Sequence, residues 1–341
     1  MRVMNTLYVD DHDVRIGVRR GAIEIRRARA LCARFPMATI EQLVLTGRAQ
    51  ITSEALARCS RDGVRVASLH RSGRVRFVVG AATSGNVLLR VAQVRAFDDQ
   101  LGSAELARSF VAGKLQNQMR LVSRWRSRAA GHVAHHLDEQ REVIAERLGQ
   151  LGDERDGDRI RGLEGDATRR YFKALGAHLD RAGSPYPFVS RTRRPPRDPA
   201  NALLSYLYGL LVVEVTGAAD AVGLDPQIGF LHRLRPGRPS LALDLVEELR
   251  PAFAERFAVT LLARHQLGDH HFSDVPGGAC HLSDDGRKFV LARWEEFRSQ
   301  TVEHPLLRAA VPRSTVATIQ ATLLARTLRG DLPTYPPYVA G

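Results

Sequence analysis

Cysteine is scarce in this 341-residue sequence: Cys32, Cys59 and Cys280 are far apart and odd in number. That spacing argues against a disulfide framework and suits a reducing cytoplasm. No run of about 18 apolar residues stands out, so no membrane-spanning helix is expected. The opening MRVMNTLYVDDHDVRIGV is a polar-punctuated strand pattern rather than a signal peptide, and the expected location is cytoplasmic. A Walker loop, a dinucleotide fingerprint, a G-x-S-x-G elbow and paired C-x-x-C motifs are all missing. The usual signals of nucleotide hydrolysis, hydride transfer, esterase chemistry and zinc ribbons are therefore absent. His132, His135 and His136 lie on a polar helix pattern with no cysteine near, which argues against zinc.

Acidic residues are also in deficit. Fifty basic residues face 37 acidic ones, giving a net charge of +13 and a pI near 10.5. A field of that sign favours polyanions, and phosphate contacts release counterions, so nucleic acid is the expected partner. Only Lys114, Lys173 and Lys288 are lysine; the remaining basic residues are arginine, which contacts phosphate bidentately. A GC-rich genome explains that ratio equally well, but not the net charge. With 44% hydrophobic and 26% charged residues the chain is an ordinary folded protein, long enough for two domains.

The periodicity changes once along the chain. Up to about residue 80 it is mostly β: Thr6–Val9, Val14–Val18, Ile23–Arg26, Thr39–Leu45, Val64–Leu69 and Arg74–Val79 are short β-branched runs between turns. One helix, Glu54–Ser60, interrupts them, with Ser53 as its expected cap and Gly63 as its stop. Ala81–Asn86 (AATSGN) reads as a linker. Helical spacing follows, at Ser103–Arg128, Gly131–Leu151, Arg159–Leu179, Ala200–Gly217, Ser240–Phe257, Ser283–Glu303 and Arg313–Leu328. A β excursion is expected near His271–Leu282. Prolines keep Pro185–Pro199 extended. The expected fold is α+β: a small β-rich domain over 1–80, a linker at 81–86, and a larger all-α domain over 87–341.

Three places carry chemistry-bearing side chains. Asp244 and Glu247, three apart in SLALDLVEELRP, share one helix face and offer hard oxygen ligands, with Glu248 on another face. A solvated helix face, with Arg250 as a salt-bridge partner, accounts for them as well. His232 closes GLDPQIGFLH and precedes Arg233, Arg235 and Arg238; a satisfied core histidine is the bland alternative. Glu164 sits between Gly162 and Gly165, where a fraying helix start competes with a functional reason. Further basic clusters are Arg169 and Arg170, then Arg120, Arg124, Arg126 and Arg128, and the proline-stiffened Arg191, Arg193, Arg194 and Arg197.

With these residues in view, the sequence resembles the spacer-acquisition integrases of CRISPR systems. RTRRPPRDPANALLSYLYGLL and VGLDPQIGFLHRLRPGRPSLALDLVEELRP carry the resemblance. NTLYV, GLEGDATRRYF and LLARTLRGDLPTYPPY extend it over nearly the whole chain, and the type I-C version looks nearest. The resemblance implies an amino-terminal β domain and a helical catalytic domain. It also implies a Mn2+ or Mg2+ site held by Glu164, His232 and Glu247, with Asp244 assisting as outer ligand or base. Some members have aspartate where this chain has Glu247. The implied reaction joins the 3′-hydroxyl ends of a donor spacer duplex to repeat DNA by transesterification. The implied partners are double-stranded DNA, a second copy of the chain, the small ferredoxin-like second-numbered Cas protein bridging two homodimers, and in some systems the fourth-numbered Cas nuclease. A metal-dependent nuclease of branched DNA and a non-catalytic nucleic-acid-binding protein are the competing expectations.

Overall fold

The computed structural model describes residues 6–70, 72–80 and 87–341, so the linker expected at Ala81–Asn86 lies outside the described residues. The chain opens with strands β1 (Thr6–Val9), β2 (Val14–Arg19), β3 (Ala22–Arg27), β4 (Ala30–Pro36), β5 (Gln42–Leu45) and β6 (Gln50–Ile51). Helix α1 (Ser53–Arg61) and strands β7 (Arg65–Leu69) and β8 (Val75–Val79) complete this part. One sheet has the order β1-β5-β7-β8, its first three strands parallel. The other, β4-β3-β2-β6, is an antiparallel meander with β6 parallel to β2.

Alternation along β5 and β7 explains how the two halves of the chain join. Leu43, Leu45 and Val66 point into a small core with Val9, Ile16, Ile23 and Ile25. Their neighbours Val44, Ala67 and Leu69 point the other way, into the core of the helical part. The sheet is thus buried on both faces, as its apolar parallel strands require. The contact is tight: a Cβ on Gly209 would lie 1.9 Å from the Gly73 carbonyl oxygen. Arg287, itself buried, reaches across to Asp10 with Nε 2.9 Å from Oδ1.

The helical part contains α2 (Val87–Asp98), α3 (Gln100–Arg126), α4 (Gly131–Gln150), α5 (Gly157–Arg181), α6 (Pro199–Val222), α7 (Ser240–Leu249) and α8 (Arg256–Ala263). The hairpin β9–β10 (Phe272–Val275, Ala279–Leu282), helix α9 (Asp284–Ser299), the hairpin β11–β12 (Thr301–His304, Ala309–Pro312) and α10 (Arg313–Leu328) follow. Helix α6 starts as expected: the Asn201 amide donates to the Asp198 carboxylate at 2.8 Å and Pro199 occupies the first turn. Contrary to expectation, α6 has the length and hydropathy of a membrane span, but 72% of its apolar window is buried in the protein. Its Glu214 carboxylate lies 3.1 Å from the buried Arg298, so α6 is a core helix.

The other differences have local causes. Helix α2 was missed because Val87, Leu88, Val91 and Val94 are exposed, while Leu89 and Gln93 are buried. Strand β4 is largely exposed and exists by pairing with β3, not by its own apolar pattern. Thr52, not Ser53, caps α1, accepting from the Ala55 amide at 3.1 Å. The helix expected over Ser240–Phe257 breaks at Pro251, where Arg250–Glu255 widens into a π turn. The helix expected to reach Glu303 ends at Ser299, because Gln300 turns extended and starts a hairpin. The carboxy-terminal part is therefore mostly helical, with two short hairpins.

His178 on α5 stacks on Trp125 of α3, ring centroids 4.9 Å apart and planes 8° off parallel. Burial, helped by Arg181 and Arg128, depresses its pKa to about 4. Folded His178 is thus neutral where the unfolded residue begins to protonate, so stability is lost as pH falls from about 6.5 through 4. His178→Phe keeps the stack and removes this proton. Its Tm is expected to fall less than that of the wild type over the same pH interval. Parallel Tm curves would show that the histidine does not contribute.

Candidate metal centre

Four elements converge on the predicted residues. Helix α5 carries Glu164 in its second turn, well inside the helix and not at a frayed end. A Cβ on Gly162 would meet nothing within 4 Å, so no packed contact requires that glycine. Helix α7 carries Asp244, Glu247 and Glu248, all buried, which excludes the solvated-face reading. The loop between α6 and α7 carries His232, and α3 contributes Lys114.

The loop is shaped by backbone requirements. Gly223 ends α6 in the left-handed region at φ 90°. From α2, the Gln93 side chain donates to the carbonyls of Asp225 and Ile228 at 2.9 and 2.8 Å and accepts from the Asp225 amide at 2.8 Å. A Cβ on Gly229 would sit 2.6 Å from Asp244 Oδ2, so only glycine fits there. The next three amides turn onto one carboxylate. Phe230 and Leu231 donate to Asp244 Oδ2 at 2.6 and 3.0 Å, and His232 donates to Oδ1 at 2.9 Å.

Asp244 Oδ1 also lies 2.6 Å from His232 Nδ1. With the Asp244 carboxylate as acceptor, Nδ1 carries a proton, which makes Nε2 the ring nitrogen available to a metal ion. Nε2 faces Glu247, 3.7 Å from Oε1. Asp244 is fully buried and already surrounded by four donors, so it orients the histidine and has no vacant position for a base or a direct ligand. This is the arrangement by which a carboxylate fixes the tautomer of a metal-binding histidine.

Glu247 is the electrostatic hub. Burial alone would raise its carboxyl pKa, but Arg250, then Lys114 and His232, outweigh burial and hold it well below the ordinary range. Arg250 Nη1 lies 2.5 Å from Oε1, and Lys114 Nζ lies 2.6 Å from Oε2. Lys114 also pairs with Glu164, whose Oε1 accepts from the Thr168 hydroxyl at 2.9 Å. Arg250 is held from behind by the Tyr208 ring, 4.7 Å away, and the Tyr208 hydroxyl donates to Glu255 at 2.5 Å. Glu248 faces the opposite way. It accepts from the Tyr335 hydroxyl, the Gln320 amide and the Tyr338 backbone, and burial pushes its pKa up to about 7.

Among the described residues no three His, Cys, Asp or Glu side chains stand at the mutual separation of a metal cluster. Glu164 and Glu247 are instead gathered on either side of the Lys114 ammonium. The donor set fits Mn2+ or Mg2+ all the same: two hard carboxylates already share a cation, and an imidazole nitrogen stands beside one of them.

The arginines divide. Arg191 is turned inward, its guanidinium donating to Asn201 Oδ1 at 2.7 Å and Ser205 Oγ at 2.9 Å, so it props the extended segment. Arg193, Arg194 and Arg197 are exposed, as are Arg233 and Arg235. Burial lowers the pKa of Arg238, and the nearby charges of Arg235 and Arg194 lower it further while Asp244 opposes them. Arg169 pairs with Asp166 at 3.0 Å and Arg233 with Asp158 at 2.6 Å, both at the surface. Arg170 has no described ion pair with either acid.

Sequence reasoning missed Lys114. The available signal was a lone lysine four residues after Phe110 on the apolar stripe of α3, in a chain that otherwise uses arginine. Gln93 and Tyr208 gave no signal, because their partners lie more than forty residues away.

These observations define an α+β protein whose helical part holds a buried, carboxylate-rich centre flanked by arginines. The family model described as CRISPR associated protein Cas1 matches residues 7–296. CRISPR-associated endonuclease Cas1 1 of Moorella thermoacetica is 38% identical over 99% of this chain and 98% of its own length. CRISPR-associated endonuclease Cas1 2 of Rhodospirillum rubrum is 40% identical over 89% of each chain. A CRISPR-associated exonuclease Cas4/endonuclease Cas1 fusion of Geobacter sulfurreducens is 32% identical, covering 98% of this chain and 60% of the fusion. The chain belongs to the Cas1 family. The fold recurs in a casposase bound to integration product, with a TM-score of 0.83, 21% identity and coverage of 98% and 93%. It recurs also in a Cas6-RT-Cas1–Cas2 complex, with a TM-score of 0.84 and 18% identity over all of this chain and 36% of the other.

If Asp244 organises the loop, Asp244→Ala leaves three buried amides and an imidazole without their acceptor. A loss of about 3–5 kcal/mol in chemical denaturation is expected. His232→Ala, at a partly exposed side chain, is expected to cost about 1 kcal/mol. Equal small losses from both variants would contradict the organising role.

Proposed function

We propose that this chain is a metal-dependent DNA integrase of CRISPR adaptation, joining donor 3′-hydroxyl ends to repeat DNA. The observation that carries the reading is that Lys114 draws Glu164 and Glu247 together while the Asp244-oriented His232 faces the other oxygen of Glu247. Glu164, Glu247 and His232 Nε2 are the groups that would hold Mn2+ or Mg2+. Bound there, such an ion supplies charge neutralisation at the phosphoryl and leaving 3′-oxygens.

The chain's own residues do the rest. Asp244 keeps the His232 ring aimed and its Nδ1 protonated, and Arg250 holds the Glu247 carboxylate in place. Arg193, Arg194, Arg197, Arg235 and Arg238 place phosphates beside the site by charge, with little dependence on sequence. The donor 3′-oxygen forms a new bond to phosphorus as the target's bond from phosphorus to its own 3′-oxygen breaks. One phosphodiester is exchanged for another, so no nucleoside triphosphate is consumed. Water in place of the donor hydroxyl gives hydrolysis, in keeping with the endonuclease names of the relatives.

The same proposal includes duplex DNA as substrate, a homodimer, a Cas2 partner and a cytoplasmic setting. The Cas2-containing complex of a fold neighbour and the Cas4 fusion of a relative support Cas2 and Cas4 as partners. The type I-C assignment rests on resemblance alone.

Half-site integration of a labelled donor duplex into repeat DNA, with Mn2+ and the small partner, tests the reading. Glu164→Ala and His232→Ala are each expected to lose about 10²–10³-fold in joined product while still binding DNA. Shortened fragments without joined product would favour a nuclease; bound but unaltered DNA would favour a binding protein. Separately, duplex affinity is expected to fall about 10³-fold between 50 and 200 mM salt, and less steeply in a variant with Arg194, Arg197 and Arg235 changed to alanine. A flat salt dependence in the wild type would make these arginines surface decoration.

A further inference from the structure

Lys114 is a charged group at the centre to which neither the sequence nor the family resemblance assigns a role. Its side chain is 3% exposed, deep on α3, whereas Lys173 and Lys288 are both at the surface. Its ammonium contacts Glu164 Oε1 and lies 2.6 Å from Glu247 Oε2, bridging the two carboxylates proposed as metal ligands. Arg250 supplies a second positive charge to Glu247, so the four side chains together are neutral. A divalent ion added to that set would bring two uncompensated charges into a buried place unless a cation leaves. Arg250 is pinned by Tyr208 and Glu247; Lys114 has a compact charge on a flexible stem and can withdraw.

We propose that Lys114 is the built-in counter-cation of this centre. It holds Glu164 and Glu247 together before metal arrives, and a divalent ion displaces it on binding. The inference rests on the metal site proposed above. It accounts for a lysine in a position where the chain's habitual arginine would clamp both carboxylates bidentately and resist exchange. It also makes Lys114 a positioning residue that sets metal affinity, and not a group that touches the substrate.

The scarcity of lysine makes the test direct. Protein labelled with 13C at lysine Cε gives three side-chain signals, assigned through the surface variants Lys173→Arg and Lys288→Arg. During titration with Mg2+, followed in parallel by calorimetry, the Lys114 signal is expected to shift in step with occupancy while the other two stay fixed. Lys114→Met is expected to bind Mn2+ about tenfold more tightly than the wild type, and to melt at a lower temperature without metal. A Lys114 signal unmoved at full Mg2+ occupancy overturns the proposal, even if Lys114→Met fails to fold. Unchanged or weaker Mn2+ binding by a folded Lys114→Met also overturns it. Absence of any calorimetric binding by the wild type would instead remove the metal site itself, and this inference with it.

Discussion

A carboxylate buried in the helical core must be surrounded by donors, and Asp244 meets that demand by bending a loop around itself. Three successive amides and one imidazole nitrogen converge on it, at a cost in loop entropy that buried charge–dipole bonds offset. The consequence reaches beyond stability. The amides fix the path of Gly229–His232, and the last donor fixes the ring of His232. The histidine is therefore aimed by backbone geometry, with its free nitrogen facing the neighbouring turn of the same helix that carries Glu247.

The second constraint is charge balance. Glu247 and Lys114 are almost completely enclosed, and Glu164 is only partly open. Enclosure raises the energy of any unpaired charge, so α3, α5 and α7 can pack together only if their ionic groups neutralise one another. Lys114 and Arg250 provide that balance, and Tyr208 with Glu255 anchors the arginine from behind. Glu164 and His232 are the centre's partly exposed members, and the exposed Arg233 and Arg235 follow His232 directly in the loop before α7. An outer surface of arginine beside an inner carboxylate centre suits a polyanion whose backbone is to be held and exchanged.

Much of this was legible in the sequence, for identifiable reasons. The change from alternating to helical spacing reflects a real change from sheets to helices, and prolines mark the extended Pro185–Pro199 segment. The acids of α7 and His232 were suggestive through their closeness in sequence beside a loop of arginines, and only the family resemblance joined them with Glu164 as one site. What stayed hidden depends on tertiary partners. Helix α2 shows its apolar residues outward, and β4 and β11–β12 exist by pairing. The donors to Asp244 are backbone amides, which no side-chain pattern reveals. Arg191 looked like its exposed neighbours until Asn201 and Ser205 were seen to hold it.

The central claim is that Glu164, His232 and Glu247 share one divalent cation. Anomalous diffraction at the manganese edge, from crystals grown with saturating Mn2+, measures this without reference to any reaction. The account predicts a single strong peak about 2.0–2.3 Å from a carboxylate oxygen of Glu164, one of Glu247 and His232 Nε2. A peak held by other residues, or none while Lys114 still bridges the two glutamates, would contradict it.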